Sequence, residues 1–208
     1  MAIAVIADAH LGGFGGGAEA LVAQLLALPG QGCERLILLG DIFHVWVGSP
    51  QFETEDIAVV GGALRRLRAA GIHIDYIEGN RDFFLAGSVY ADLFHSVGTE
   101  TSFQADGRRV LAVHGDGLSD RDWRYRFWRW LSKSAPVRMC VLHLPARWAR
   151  RVVHLTEARL ASTNFKHRQA LPERAIRTYA ERRLREGYDQ VIFGHFHEER
   201  RFSVVGGE

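Results

Sequence analysis

The sequence predicts an α/β fold with a largely parallel or mixed sheet. Three observations carry this reading. Short, apolar, β-branched runs recur along the chain, stretches of helical spacing lie between them, and each run ends in a turn residue. The chain has 208 residues, long enough for one domain with a full core and short for two.

The runs are IAVIAD (3–8), RLILLGD (35–41), IDYIEGN (74–80), RVLAVHGD (109–116) and QVIFGH (190–195). Their near-continuous apolarity suits strands buried on both faces. Between the first two, residues 18–28 have helical spacing. GGFGGG (12–17) precedes them; no Gly-Lys-Ser/Thr follows it and it opens no dinucleotide fingerprint, so it reads as a flexible loop. Residues 54–70 form a better-marked helix. Glu55 and Asp56 give it an acidic first turn, Leu64 and Leu67 face away from Arg65, Arg66 and Arg68, and Gly71 closes it. Three later segments also read as helical: 123–134 and 145–162, rich in Trp and Arg, and 172–186, whose alternating Arg and Glu suit a solvated face.

Hydrophobic residues at 47% and charged residues at 24% exclude a disordered chain. The net charge of +2 says little about partners, but its distribution is uneven. Residues 121–151 hold nine Arg or Lys against one acid, Asp122. Cys33 and Cys140 form no metal or redox spacing and fit a reducing compartment. The opening MAIAVIADAH lacks a basic leader and no run reaches 18 apolar residues, so a cytoplasmic protein without a membrane span is expected.

Chemistry-bearing residues gather at the ends of the five runs. Asp8 and His10 follow the first, Asp41 the second, Asn80 the third, His114 the fourth, and His195 with His197 the fifth. In extended chain, residues two apart point the same way, so the last two imidazoles can converge. Ligands of open α/β sheets bind beyond the carboxyl ends of the strands, where all seven side chains can meet. Carboxylate, imidazole and amide oxygen suit divalent ions of intermediate hardness, such as Mn²⁺, Fe²⁺, Zn²⁺ or Co²⁺. Seven ligands exceed what one ion takes and suit two ions about 3.5 to 4 Å apart. The other six histidines, His44, His73, His95, His143, His154 and His167, follow no such pattern and are assigned to no metal.

DAH, GD, GNRD, HGD and GHFH, in this order, resemble the motifs of the calcineurin-like metallophosphoesterase superfamily, from residue 3 to about residue 200. More narrowly, GDIFHVWVG, GNRDFFL, HGDGLSDRDWRY and a basic helical insert before GHFH look like the UDP-2,3-diacylglucosamine pyrophosphatases of lipid A synthesis. Where most of the superfamily reads GNH, this chain reads GNR. It departs from the subgroup at His44, Ser49 and Pro50, where acids are common, and over 171–188.

The resemblance implies a two-sheet β-sandwich flanked by helices, one domain over 1–208 with an insert at 121–170 acting as a substrate cap, and further strands completing the second sheet beyond Glu208. It implies two divalent ions, foremost Mn²⁺: one held by Asp8, His10, Asp41 and His197, the other by Asp41, Asn80, His114 and His195, with Asp41 bridging. It implies in-line attack of hydroxide on phosphorus, releasing UMP and diacylglucosamine 1-phosphate, with no covalent enzyme intermediate. Asn80, Arg81 and Asp82 would serve catalysis; Arg81 replaces a histidine that is often the general acid, and Asp82 and Asp116 would orient ligand histidines. Asn80, Arg81, Asp122, Tyr125, Ser162, Asn164, Lys166, Arg168 and His195 would contact the nucleotide-lipid substrate. The basic, aromatic-rich insert suits acyl chains and an anionic membrane surface, which puts the protein peripherally on the cytoplasmic face of the inner membrane, with no obligate protein partner.

Two other readings remain open. A phosphodiesterase or nuclease acting on another nucleotide would use the same metals, and the insert could bind single-stranded nucleic acid; GNR and the hydrophobic insert disfavour it. A non-catalytic scaffold of this fold need not preserve all seven ligand residues, and here they are all present.

Overall fold

The computed structural model describes residues 2–12, 17–118, 127, 130–163 and 171–203, and only the backbone of 156–163. All five apolar runs form strands: β1 (Ala2–Ile6), β2 (Cys33–Leu38), β4 (His73–Ile77), β8 (Arg108–Val113) and β9 (Gln190–Phe193). Each stops two or three residues before its polar terminus, leaving that terminus in a turn. A short β6 (Ser96–Gly98) completes a parallel sheet of order β1-β2-β4-β6, with Ile6 opposite Leu38 and Leu38 opposite Tyr76. The second sheet has order β7-β8-β9, where β7 (Glu100–Ala105) is antiparallel to β8 and β9 is parallel to it. The β7–β8 turn, Asp106-Gly107, has φ of 51° and 76°, the left-handed pair that a two-residue hairpin matched to strand twist requires.

The period of two along the central strands serves two cores. Leu36, Leu38, Ile74 and Tyr76 face helices α1 (Ala18–Ala27) and α2 (Glu55–Ala69), packing with Leu25, Leu64 and Leu67. Ile37, Leu39 and Ile77 face the second sheet and pack with Phe103, Val110 and Ala112. The result is the expected sandwich with helices on an outer face. α2 follows its sequence signals closely. The Thr54 side chain caps it by accepting from the Ile57 N–H at 3.3 Å, and Ile57, Val60, Ala63, Leu64 and Leu67 form its buried stripe.

A third apolar cluster lies where two later helices, α3 (Ala135–Leu142) and α4 (Ala146–Thr163), meet the body. Ala149 and Val153 of α4 pack with Val47, Phe52 and Phe84. The Gln51 amide donates to the carbonyls of Val141 (3.2 Å) and Leu142 (3.0 Å) at the end of α3. Helix α5 (Glu173–Arg185) buries only Ile176 fully, as its charge pattern suggests. Most of the helix expected over 123–134 lies outside the described residues, as do 13–16 of the glycine loop. The sequence pattern did not reveal α3, whose Ala135-Pro136 start reads as a break although Pro suits a first turn. It also missed β6, β7 and the two-residue pair β3 (Trp46–Val47) and β5 (Asp82–Phe83).

One buried ionic network ties the two sheets. Arg35 on β2 donates to Asp75 Oδ2 through Nε at 2.8 Å and reaches Thr101 Oγ1 on β7 at 3.3 Å; Ser96 Oγ donates to Asp75 Oδ1 at 2.6 Å. Burial alone would raise the Asp75 pKa, but the Ser96 hydrogen bond and Arg35 overcome it and hold the carboxyl below its ordinary value. A depressed folded pKa gives stability that is present above the unfolded value, about 3.9, and lost as pH falls through the folded one. Asp75→Asn should therefore cost about 2 to 3 kcal/mol at neutral pH. Urea melts should show that gap closing below about pH 4.

Candidate metal centre

The carboxyl ends of β1, β2, β4, β8 and β9 converge, and the seven expected residues meet there in two groups. Asp8, His10 and His197 bring one ligand atom each within 4.8 Å of one another, and Asp41, His114 and His195 do the same. Asn80 joins the second group, with Oδ1 3.2 Å from His114 Nε2. Asp41 falls in that group, and the charge of neighbouring Asp8 helps to raise its pKa.

Convergence requires unusual backbone. Among the described residues, Asp8, His10, Asp41, His195 and His197 have φ between 47° and 71°, the left-handed region that L-residues rarely occupy. The glycines before Asp41 and Asn80 have a steric reason. A Cβ on Gly79 would overlap Asp41 Oδ1, and one on Gly40 would lie 2.7 Å from both Gly79 N and His114 Nδ1. GD and GN are thus spacings imposed by two turns pressed together.

The turns are locked by hydrogen bonds. Asp8 Oδ2 accepts from the His195 N–H at 2.6 Å, and Asp41 Oδ1 accepts from the Arg81 N–H at 2.9 Å. Asp82, fully buried, accepts through Oδ2 from the N–H groups of Asp41 (3.0 Å) and Gly79 (2.8 Å). Its partners are these backbone amides, so it orients the Asp41 and Asn80 turns, where the sequence reading had it orient histidines. Asp116 is buried next to His195, where its charge favours the imidazolium.

The donor set fits cations. His114 Nδ1–H donates to the Leu39 carbonyl at 2.8 Å, so its Nε2 presents a lone pair, facing Asn80 Oδ1 and, at 3.6 Å, Asp41 Oδ2. His10 Nε2 and His197 Nε2 lie 3.0 Å apart, each 3.8 Å from Asp8 Oδ1, an oxygen that is buried and has no hydrogen-bond partner. Burial, aided by Arg81 and neighbouring histidines, lowers His10 to about 3; burial and His114 lower His195 to about 4. Burial pushes Asp41 up to about 7 against the pull of Arg81, and raises Asp8. Neutral imidazoles and reluctant carboxylates facing one another call for positive charge between them.

Sequence reasoning passed over two residues beside this centre. His44 Nδ1 lies 3.1 Å from Arg81 NH1, and Lys133 Nζ donates to the Gly79 carbonyl at 2.9 Å. Neither sits at a strand end, the signal that marked the ligand residues. Asp122, Tyr125, Asn164, Lys166 and Arg168 lie outside the described residues; Ser162 is on α4, with its side chain undescribed.

A two-sheet α/β fold with paired Asp/His clusters at the carboxyl ends of its strands is that of a metal-dependent phosphoesterase. The family model for calcineurin-like phosphoesterases matches residues 1–199, and the chain belongs to that family. It is a phosphoester hydrolase whose centre suits two divalent cations. Among named relatives, the UDP-2,3-diacylglucosamine hydrolase of Ralstonia nicotianae is 30% identical over 214 residues, covering 98% of this chain and 80% of that protein. The enzyme of the same name from Nitrosococcus oceani is 30% identical over 95% of this chain and 79% of its own length, and that of Serratia proteamaculans 27% over 92% and 80%. Among the described residues, no helix is long and apolar enough to cross a membrane.

Two outcomes are expected. A cation must displace the proton that Asp41 holds below about pH 7, whereas His10 and His195 are already neutral. Mn²⁺ affinity measured by calorimetry should therefore rise from about pH 6 to about pH 7.5, with more proton released at the lower pH. Gly79→Ala should weaken metal binding by about ten- to a hundredfold, measured by equilibrium dialysis, because its Cβ displaces Asp41 Oδ1.

Proposed function

We propose that this chain hydrolyses the pyrophosphate bond of UDP-2,3-diacylglucosamine to UMP and 2,3-diacylglucosamine 1-phosphate, a step of lipid A synthesis, with Mn²⁺ as its metal. The reading draws on the relatives' names and on one structural observation. An apolar and basic helical surface is seated on the same loop that flanks the metal centre. On α4, Trp148, Val152 and Leu155 form an exposed apolar stripe, with Met139 exposed on α3 and Arg147, Arg150 and Arg151 exposed around them. That combination suits acyl chains and anionic headgroups, and so a peripheral position on the cytoplasmic face of the inner membrane without an obligate protein partner. The segment 121–170 would then be the substrate cap of a single domain. Asp122, Tyr125, Ser162, Asn164, Lys166 and Arg168 would contribute its polar contacts.

Asp8, His10, Asp41 and His197 would hold one cation, and Asp41, Asn80, His114 and His195 the other. When bound, the pair of cations supplies charge neutralisation at the phosphoryl oxygens and acidifies water. The chain's own residues do the rest. His114 is held in one tautomer by Leu39, so that Nε2 points inward. Asp82 fixes the Asp41 and Asn80 turns through their backbone amides. Arg81 presents a planar fork of donors to the phosphates and keeps them in line. UMP leaves as a phosphate of low basicity, so a dedicated general acid is unnecessary.

The experiment is release of UMP from the lipid in detergent micelles, chelated and then with Mn²⁺ restored. Manganese-dependent release supports the reading; cleavage of a simple phosphodiester with no release from the lipid would discard the substrate and keep the chemistry. Asp41→Ala should abolish turnover, and Arg81→Ala should lower kcat by about a hundredfold with metal content unchanged.

A further inference from the structure

The turn after β2 grips Arg81 twice. Arg81 Nε lies 3.5 Å from Asp41 Oδ2, and NH1 lies 3.1 Å from His44 Nδ1, three residues further along the same turn. The backbone is held as well, because the Trp46 N–H donates to the Arg81 carbonyl at 2.9 Å. His44 is 7% exposed, and its own N–H donates to the Leu11 carbonyl at 2.8 Å. Its ring stacks on His10 with centroids 5.8 Å apart and planes 16° from parallel, and His10 stacks in turn on His197 at 4.8 Å and 9°. The imidazole is thus fixed by packing before Arg81 meets it.

A guanidinium offers only donors and stays charged. The ring nitrogen facing it must therefore present a lone pair, so His44 is neutral with its hydrogen on Nε2. We propose that His44 is a positioning residue, a rigid neutral acceptor that aims the Arg81 guanidinium at the metal centre. A second carboxylate here, added to Asp41, could hold the same guanidinium, but its ion pair would cancel more of the charge meant for phosphate. The imidazole gives direction without that cancellation. The inference rests on the reading that Arg81 contacts the phosphates.

The test compares His44→Ala, His44→Asn, Arg81→Ala and the His44→Ala/Arg81→Ala double variant with the wild type. The assay is steady-state hydrolysis of UDP-2,3-diacylglucosamine and of bis(p-nitrophenyl) phosphate, with metal content and melting temperature measured on each protein. Asn carries an oxygen where His44 carries Nδ1. His44→Ala should lower kcat by about ten- to a hundredfold at unchanged metal content, and His44→Asn should recover most of it. In the Arg81→Ala background, removing His44 should cost nothing further. Losses that multiply, or a His44→Asn variant as poor as His44→Ala, would overturn the proposal while leaving Arg81 in place. Wild-type turnover by Arg81→Ala would remove Arg81 from the reaction, and the role of His44 with it.

Discussion

The structure depends on bringing carboxylates, imidazoles and an amide from five strand ends within reach of one another, at a site where all but His197 are buried or half-buried. Such groups are acceptors and repel when no cation lies between them. The strained turns follow from this requirement. Five residues of the centre, Asp8, His10, Asp41, His195 and His197, occupy the left-handed region. Each costs about 1 to 2 kcal/mol relative to ordinary backbone. The total is of the same order as the net stability of a domain, about 5 to 15 kcal/mol. Such turns persist only where their surroundings leave no alternative.

The surroundings work at two levels. Parallel pairing of β1, β2 and β4 fixes where each strand ends, and the cores on both faces of that sheet hold the register. A one-residue slip would turn Leu36 and Leu38 toward the second sheet and move every ligand residue to the wrong side. Locally, carboxylates brace the turns as backbone acceptors. Asp82 serves two turns at once, and its cost is visible: burial, with Asp41 nearby, pushes its pKa up to about 7. Cation binding that pulls Asp41 into its ionised form acts on a carboxyl already tied to the Arg81 amide, in a residue whose own amide Asp82 holds, so filling the site and rigidifying the turns are one event.

How much of this could be read from the chain follows from the physics. The five buried strands were legible because near-continuous apolar runs are rare outside cores, and α2 because its cap, stripe and stop agree. β7 was not legible: in ETSFQA only Phe103 is fully buried, and its place is set by the hairpin turn beyond it. The ligand residues were legible as strand-end punctuation. Their division into Asp8/His10/His197 and Asp41/His114/His195 came from the family resemblance and not from the strand pattern, because it joins residues up to 189 positions apart. His44 escaped for another reason: its meaning lies in a contact with Arg81, 37 residues away, and no periodicity encodes that contact.

The loop from residue 44 to residue 52 joins the metal centre to the helical surface. At one end His44 and Trp46 hold the side chain and backbone of Arg81; at the other, Gln51 and Phe52 seat the helices that expose the apolar and basic surface. Lys133 closes the circuit from the helical side by donating to Gly79, in the turn that carries Asn80 and Arg81. A shift of the helical surface would therefore strain the turn that carries Asn80 and Arg81. Function resides in sites grafted on a fold more than in the fold itself. Here the helical surface is anchored to the turn of Asn80 and Arg81 through both chain segments. His44 and Gln51 thus link the two parts, while the strand-end ligand residues stay where the parallel sheet puts them.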